Sequence, residues 1–138
     1  MNPHAAQYQQ ADFATADRGR LLLLMFEGAL RFLGQAEQAL QEDDPAAFGH
    51  ALGRGQAVIG ELLATLDHDA GGEIAGNLDR LYRFLLDHLV EANLRKSASH
   101  VADVRRILGT VAGAYREILK DGLPDLRPGA GPGGRDAA

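Results

Sequence analysis

The chain has 138 residues, 46% of them apolar and 24% charged, with a formal charge of -5. That length and composition fit one soluble globular domain. The absence of cysteine excludes disulfides, thiolate metal sites, iron–sulfur clusters and thiol catalysis, and the net acidity argues against a nucleic-acid binder, whose first signature is a basic face.

No apolar run approaches the roughly 18 residues of a membrane span; the longest, Leu21 to Phe26, has six. Asp12 and Asp17 lie where a secretory signal would need an apolar stretch, so a cytoplasmic chain is expected. Residues 1–14 are polar and read as an irregular N-terminal arm.

The first helix is expected from about Ala16 to Glu42, with Thr15 as its cap. Leu22, Met25, Phe26, Ala29, Leu33, Ala36 and Leu40 share one face. Leu21, Leu23, Leu30 and Phe32 widen that face well beyond the ~100° stripe of an ordinary surface helix. This helix is therefore the most buried one, or it touches something extra.

Asp43-Asp44-Pro45 breaks the chain and restarts it, with Asp44 as cap and Pro45 at the first helical position. The second helix carries Phe48, Leu52, Gly55, Ile59, Leu62 and Leu66 as its core stripe, and Asp67 to Gly72 is the next turn. The third helix starts near Glu73 and buries Ile74, Leu78, Leu81, Leu85, Leu89 and Ala92, with Tyr82 beside them. Arg95 and Lys96 suit its negative end. Ser97 or Ser99 caps the fourth helix, whose stripe is Val101, Val104, Leu108, Val111, Tyr115 and Ile118. Asp121-Gly122-Leu123-Pro124 stops it.

From Gly122 onward five Gly and three Pro fall in 17 residues, so residues 122–138 read as a disordered tail. Nothing alternates with a strand's period over a useful length. Long helices joined by short turns pack as antiparallel neighbours, so residues 15–121 are expected to form an all-α, up-down four-helix bundle.

Catalytic and metal chemistry find little support. A di-iron bundle needs Glu-x-x-His pairs, and none of Glu27, Glu37, Glu42, Glu61, Glu73, Glu91 and Glu117 has a His at that spacing. Asp67-His68-Asp69 is a polar turn. No phosphate loop or nucleophile motif is present. No cofactor, no metal and no enzymatic activity are expected. His50-Ala51-Leu52-Gly53-Arg54-Gly55 is similar to the phosphorylated segment of histidine phosphotransfer domains. Its basic residue and glycine are displaced by one position, about 100° around the helix, which carries the cation off the phosphate's side.

Two features point to a partner surface. Gly49, Gly53 and Gly60 lie within about 40° of one another on the second helix. A strip without side chains lets another backbone approach closely, and tight packing inside the bundle is the alternative. Leu86, Val90 and Leu94 sit beside the core stripe of the third helix, where surplus apolar residues mark a groove for another helix. The alternative there is that the third helix lies between two neighbours.

An ordered set of short motifs carries a resemblance. Tyr8-Gln9-Gln10, Leu24-Met25-Phe26-Glu27-Gly28, Leu66-Asp67, Gly71-Gly72-Glu73-Ile74-Ala75, Asn77-Leu78, Leu81-Tyr82 and Glu91-Ala92-Asn93-Leu94 occur in order from about Tyr8 to Leu119. In this the chain resembles the flagellar export chaperone family, FliS. It departs from the family's pattern at Asp17-Arg18-Gly19, where many members have Ser-Pro, and at Glu27, where Asp is common.

The resemblance implies a cytoplasmic chaperone. It would hold the disordered C-terminal region of flagellin in apolar grooves and keep it competent for type III export. A mechanism is expected to follow. Tyr8 and the polar arm with Gln9 would lie over part of the groove in the free chaperone. Leu86, Val90 and Leu94 would offer apolar contact, and Asn93 would hydrogen-bond a client backbone group or take a helix-end or interhelix role. A component of the export apparatus is a candidate second partner. A homodimer of the free form is compatible with broad apolar faces. A histidine phosphotransfer domain using His50 and a generic helical adaptor are the other readings left open.

Overall fold

The computed structural model describes the backbone of residues 3–121 and the side chains of residues 17–120. Four helices follow in order: α1 Pro3–Gln41, α2 Pro45–Ala64, α3 His68–Arg95 and α4 Ala98–Asp121. Among the described residues there is no strand. Connections this short force successive helices to run antiparallel, as expected.

The helices pack in a ring, α1 on α2, α2 on α3, α3 on α4 and α4 on α1, with no approach across either diagonal among the described residues. Phe26, Leu33, Phe48, Leu52, Ile59, Leu62, Leu85, Leu89, Val101, Val104 and Leu108 meet at the centre, fully buried. Each such side chain contributes about 1.5–3 kcal/mol of transfer free energy.

Every seam carries a polar or cationic brace. Arg54 of α2 lies over the Phe32 ring of α1, 4.7 Å from its centroid. Lys96, just past α3, lies over Phe48 of α2 at 5.3 Å. His88 of α3 meets Asp103 of α4 at 3.2 Å. Arg105 and Arg116 of α4 meet Glu37 and Glu27 of α1 at 2.7 Å and 3.5 Å. Glu37 Oε1 is a buried oxygen without a hydrogen-bond partner among the described residues.

The helix ends follow local chemistry. Asp44 accepts from the Ala47 N–H at 3.0 Å, and Pro45 opens α2. Asp67 accepts from the N–H groups of Asp69 and Ala70. Gly72 then breaks the α3 helix with φ 52° and ψ -125°, a conformation open essentially only to glycine. The long regular part of α3 therefore begins after Gly72, beside the Glu73 start read from the sequence. His68 spans the break, reaching Asp79 at 3.5 Å. Asp79 also accepts from Arg83, and that hydrogen bond is the main cause holding its carboxyl below the usual carboxylate range. Ser97 Oγ accepts from the His100 N–H at 3.3 Å and caps α4.

Two expectations are corrected. The α1 helix begins at Pro3 rather than near Ala16. Proline suits a first helical position, and the Ala and Gln residues that follow are good helix formers. Ile74 and Ile118, expected in core stripes, are instead 63% and 36% exposed. Ile74 lies at the start of regular α3, past the level at which α2 ends, and Ile118 lies near the end of α4, about 80° off the buried Leu108. Leu21, which widens the apolar face of α1, is 58% exposed, in line with the second of the two alternatives for that face, that the helix touches something extra.

Candidate partner-binding surface

The two flanks of α2 face different surroundings. On one side Gly55 is buried against α1, where an added Cβ would stand 3.1 Å from Leu33 Cδ2. Arg54 lies over Phe32 on that same side. Taking the buried Ile59 as zero, Arg54 sits at about -140° and Gly49, Gly53 and Gly60 at about 80–120°. These three glycines therefore lie on the flank turned from α1 toward α3. A Cβ added to any of them meets nothing within 4 Å. The strip is open space rather than a tight helix contact.

The α3 helix packs on α2. His88 marks its α4 side through Asp103 and His100. Leu86, Val90 and Leu94 lie on the opposite flank, about 100–180° from the buried Leu85. Leu86 is partly buried against the core, whereas Val90 is 50% and Leu94 73% exposed. Exposure thus rises along this flank toward the end of α3. The contact between Lys96 and Phe48 sets the register of the antiparallel pair. Gly49 then lies about level with Leu94 and Gly53 with Val90, while Gly60 falls beyond Leu86.

Asn93 is exposed near the C-terminal end of α3, where its Oδ1 accepts from Lys96 Nζ at 3.1 Å. Lys96 itself takes a left-handed conformation, φ 50° and ψ 48°, and ends α3. Tyr82 is buried as a core residue, and burial, with Tyr115 nearby, pushes its phenol up to about 12. Tyr8 and Gln9 lie within α1, and their side chains fall outside the described residues. The tail from Gly122 also falls outside them. His50 is exposed on the outer side of α2. Arg54, one turn on, is drawn to the Phe32 ring of α1.

Other exposed apolar side chains escaped the sequence reading. Phe84, 50% exposed, stacks on His88 at 5.4 Å on the α4 side of α3. Its signal was present: a phenylalanine about 100° off the core stripe. Leu24 is 61% exposed and, with Leu21, makes an apolar patch on α1. The broad face of α1 thus serves both burial and exposure.

A family model described as "Flagellar protein FliS" matches residues 1–122. The chain belongs to the FliS family. Among its relatives, the flagellar secretion chaperone FliSB of Pseudomonas aeruginosa is 39% identical over 116 residues, covering 81% of this chain and 92% of that one. The flagellar secretion chaperone FliS of Salmonella typhimurium is 36% identical, covering 75% of this chain and 78% of that one. That of Bacillus subtilis is 30% identical across 94% and 95% of the two chains. These FliS relatives are chaperones, not enzymes. No helix among the described residues is long and apolar enough to cross a membrane.

Proposed function

We propose that this FliS chain is a cytoplasmic export chaperone that holds the C-terminal region of flagellin in the groove between α2 and α3. What carries this reading is the open glycine strip of α2 taken together with the exposed Val90 and Leu94 of α3. A bundle that needed those residues for its own core would have covered them. Glycines on one wall let a client helix approach the α2 backbone closely. Apolar residues on the other wall cover its hydrophobic face.

A subunit that polymerises through an amphipathic segment must keep that segment covered before export. A disordered client folds as it binds, and the area buried offsets its ordering entropy. Asn93 and Lys96 at the mouth offer a carbonyl and a cation to polar client groups. A lid role for Tyr8 and Gln9 requires the N-terminal part of α1 to unwind and fold back, because α1 extends as helix to Pro3, beyond the end of α2. Leu21 and Leu24, or the strip of Ile74, Phe84 and Ile118, leave apolar surface for a component of the export apparatus or for a second copy.

Titration calorimetry with the C-terminal segment of the cognate flagellin tests the proposal. Tight binding with a large negative heat-capacity change is expected, the signature of apolar burial with coupled folding. No heat from a chaperone shown to be folded would overturn it.

A further inference from the structure

The outer face of α1 carries its charges in an order that complements itself. Taking the buried Ala29 as zero, Asp17, Leu21, Leu24, Gly28 and Arg31 lie at about -80° to -160°, turned away from the core. Arg20 and Glu27 follow at about 160–180°. Leu21 is 58% and Leu24 61% exposed. The Arg31 guanidinium lies along this face, because a Cβ added to Gly28 would stand 3.7 Å from its Nη2. Asp17 is open to solvent, with Arg20 beside it at 3.2 Å.

Turned end for end about Leu24, the face meets its own complement. Asp17 and Arg31 lie at equal distances along the chain on either side of Leu24. Consider an antiparallel pair of α1 helices with Leu24 on the two-fold axis. Asp17 of one copy then stands opposite Arg31 of the other, and the axis repeats that pair. Arg20 comes level with the turn that holds Glu27, again on both sides of the axis. Leu21 comes opposite Gly28, whose missing side chain leaves room for it. A parallel pair would instead set Asp17 against Asp17 and Arg31 against Arg31, where like charges repel.

The backbone gives a second reason. The α1 helix has 39 residues, against 20 in α2 and 24 in α4. Its N-terminal part thus runs on by roughly 20 Å past both neighbours. A bare helix of that length is marginal in water. In the antiparallel pair this extension lies along α1 of the second copy, from Arg31 toward Gln41.

We propose that this face of α1 is a self-association surface, on which a second copy of the chain packs antiparallel across Leu24. It lies on the opposite side of α2 from the α2–α3 surface, so the dimer does not depend on the client reading. Two exposed leucines per copy supply a small apolar contact, so the expected dissociation constant is on the order of 10–100 µM.

Sedimentation velocity of the full chain from about 1 µM to about 300 µM, without client, tests the proposal. A share of dimer that grows with concentration is expected, and monomer throughout would overturn it. Leu24→Asp should abolish the dimer over this range and leave the helical circular-dichroism signal intact, since residue 24 is exposed. A dimer untouched by Leu24→Asp would overturn the assignment of this face. Arg31→Asp sets a carboxylate opposite Asp17 of the second copy and should raise the dissociation constant at least about fivefold. Asp17→Arg combined with Arg31→Asp exchanges the charges and should return it to within about twofold of the wild type. No recovery in that double variant would overturn the antiparallel register.

Discussion

The Lys96 ammonium stands 5.3 Å from the centroid of the Phe48 ring, and so the end of α3 is fastened to the start of α2. The same ammonium donates to Asn93. Lys96 accomplishes this from a left-handed backbone that glycine would adopt without cost. Lys96→Ala keeps the strain and loses both contacts, so it should destabilise the bundle by about 1 kcal/mol. Lys96→Gly loses the same contacts but relieves the strain, so it should stay within about 0.5 kcal/mol of the wild type. Urea unfolding of the two variants measures the difference. Equal losses would mean that the backbone strain is absent.

The α2 glycines divide into two classes with different expected behaviour. Gly53 is exposed in helical backbone with open space around an added Cβ. Gly53→Ala should therefore raise stability by about 0.5–1 kcal/mol. Gly55 is buried, and its Cβ would press on Leu33 at 3.1 Å. Gly55→Ala gains the same helix propensity but must displace the buried Leu33, so it should end at least about 1 kcal/mol below Gly53→Ala. Gly53→Leu fills the groove and should weaken client binding without unfolding the chaperone. Unchanged affinity for the flagellin segment in Gly53→Leu would remove the glycine wall from the binding surface.

Val90 and Leu94 supply the opposing wall. Since both are at least half exposed, a charge at either site is solvated in the free protein. Val90→Asp should retain the helical circular-dichroism signal while the client dissociation constant rises at least about tenfold. Loss of helix content in Val90→Asp would place that residue in the core instead.

The legible and illegible parts of this chain separate by range of interaction. Asp44-Pro45 and Ser97 could be read as helix starts because a cap bonds within three residues of itself. The stripes through Phe26, Leu52, Leu85 and Leu108 could be read because burial repeats with the helix period. Ile74 could not, because the period names a face and is silent on how far the neighbouring helix reaches along it. Lys96 read as a favourable end charge, and its cation–π contact depends on where α2 begins. His88 and His100 lie on different helices, and only the packing of α3 on α4 brings their rings together. For the proposed partner surface, the sequence named the candidate residues on both helices, and the open space around Gly49, Gly53 and Gly60 came from the structure.

Tyr82 gives the bundle a dependence on alkaline pH. Its phenol is pushed from 10.0 to about 12, first by burial and then by Tyr115 nearby. Tyr115 is raised as well, again chiefly by burial. In the unfolded chain Tyr82 loses its proton near pH 10, whereas the folded chain keeps it until about pH 12. A raised acid of this kind contributes stability that is complete below the unfolded value. That contribution is lost as pH climbs through the folded one, here of order 2 kcal/mol. Tyr82→Phe removes the group from the linkage and leaves the ring in the core. Between about pH 10 and about pH 12 the variant should lose less stability than the wild type, with Tyr115 accounting for part of the slope that remains. Denaturant unfolding at stepped alkaline pH measures both slopes, and identical slopes would mean that the Tyr82 hydroxyl already meets solvent in the folded chaperone.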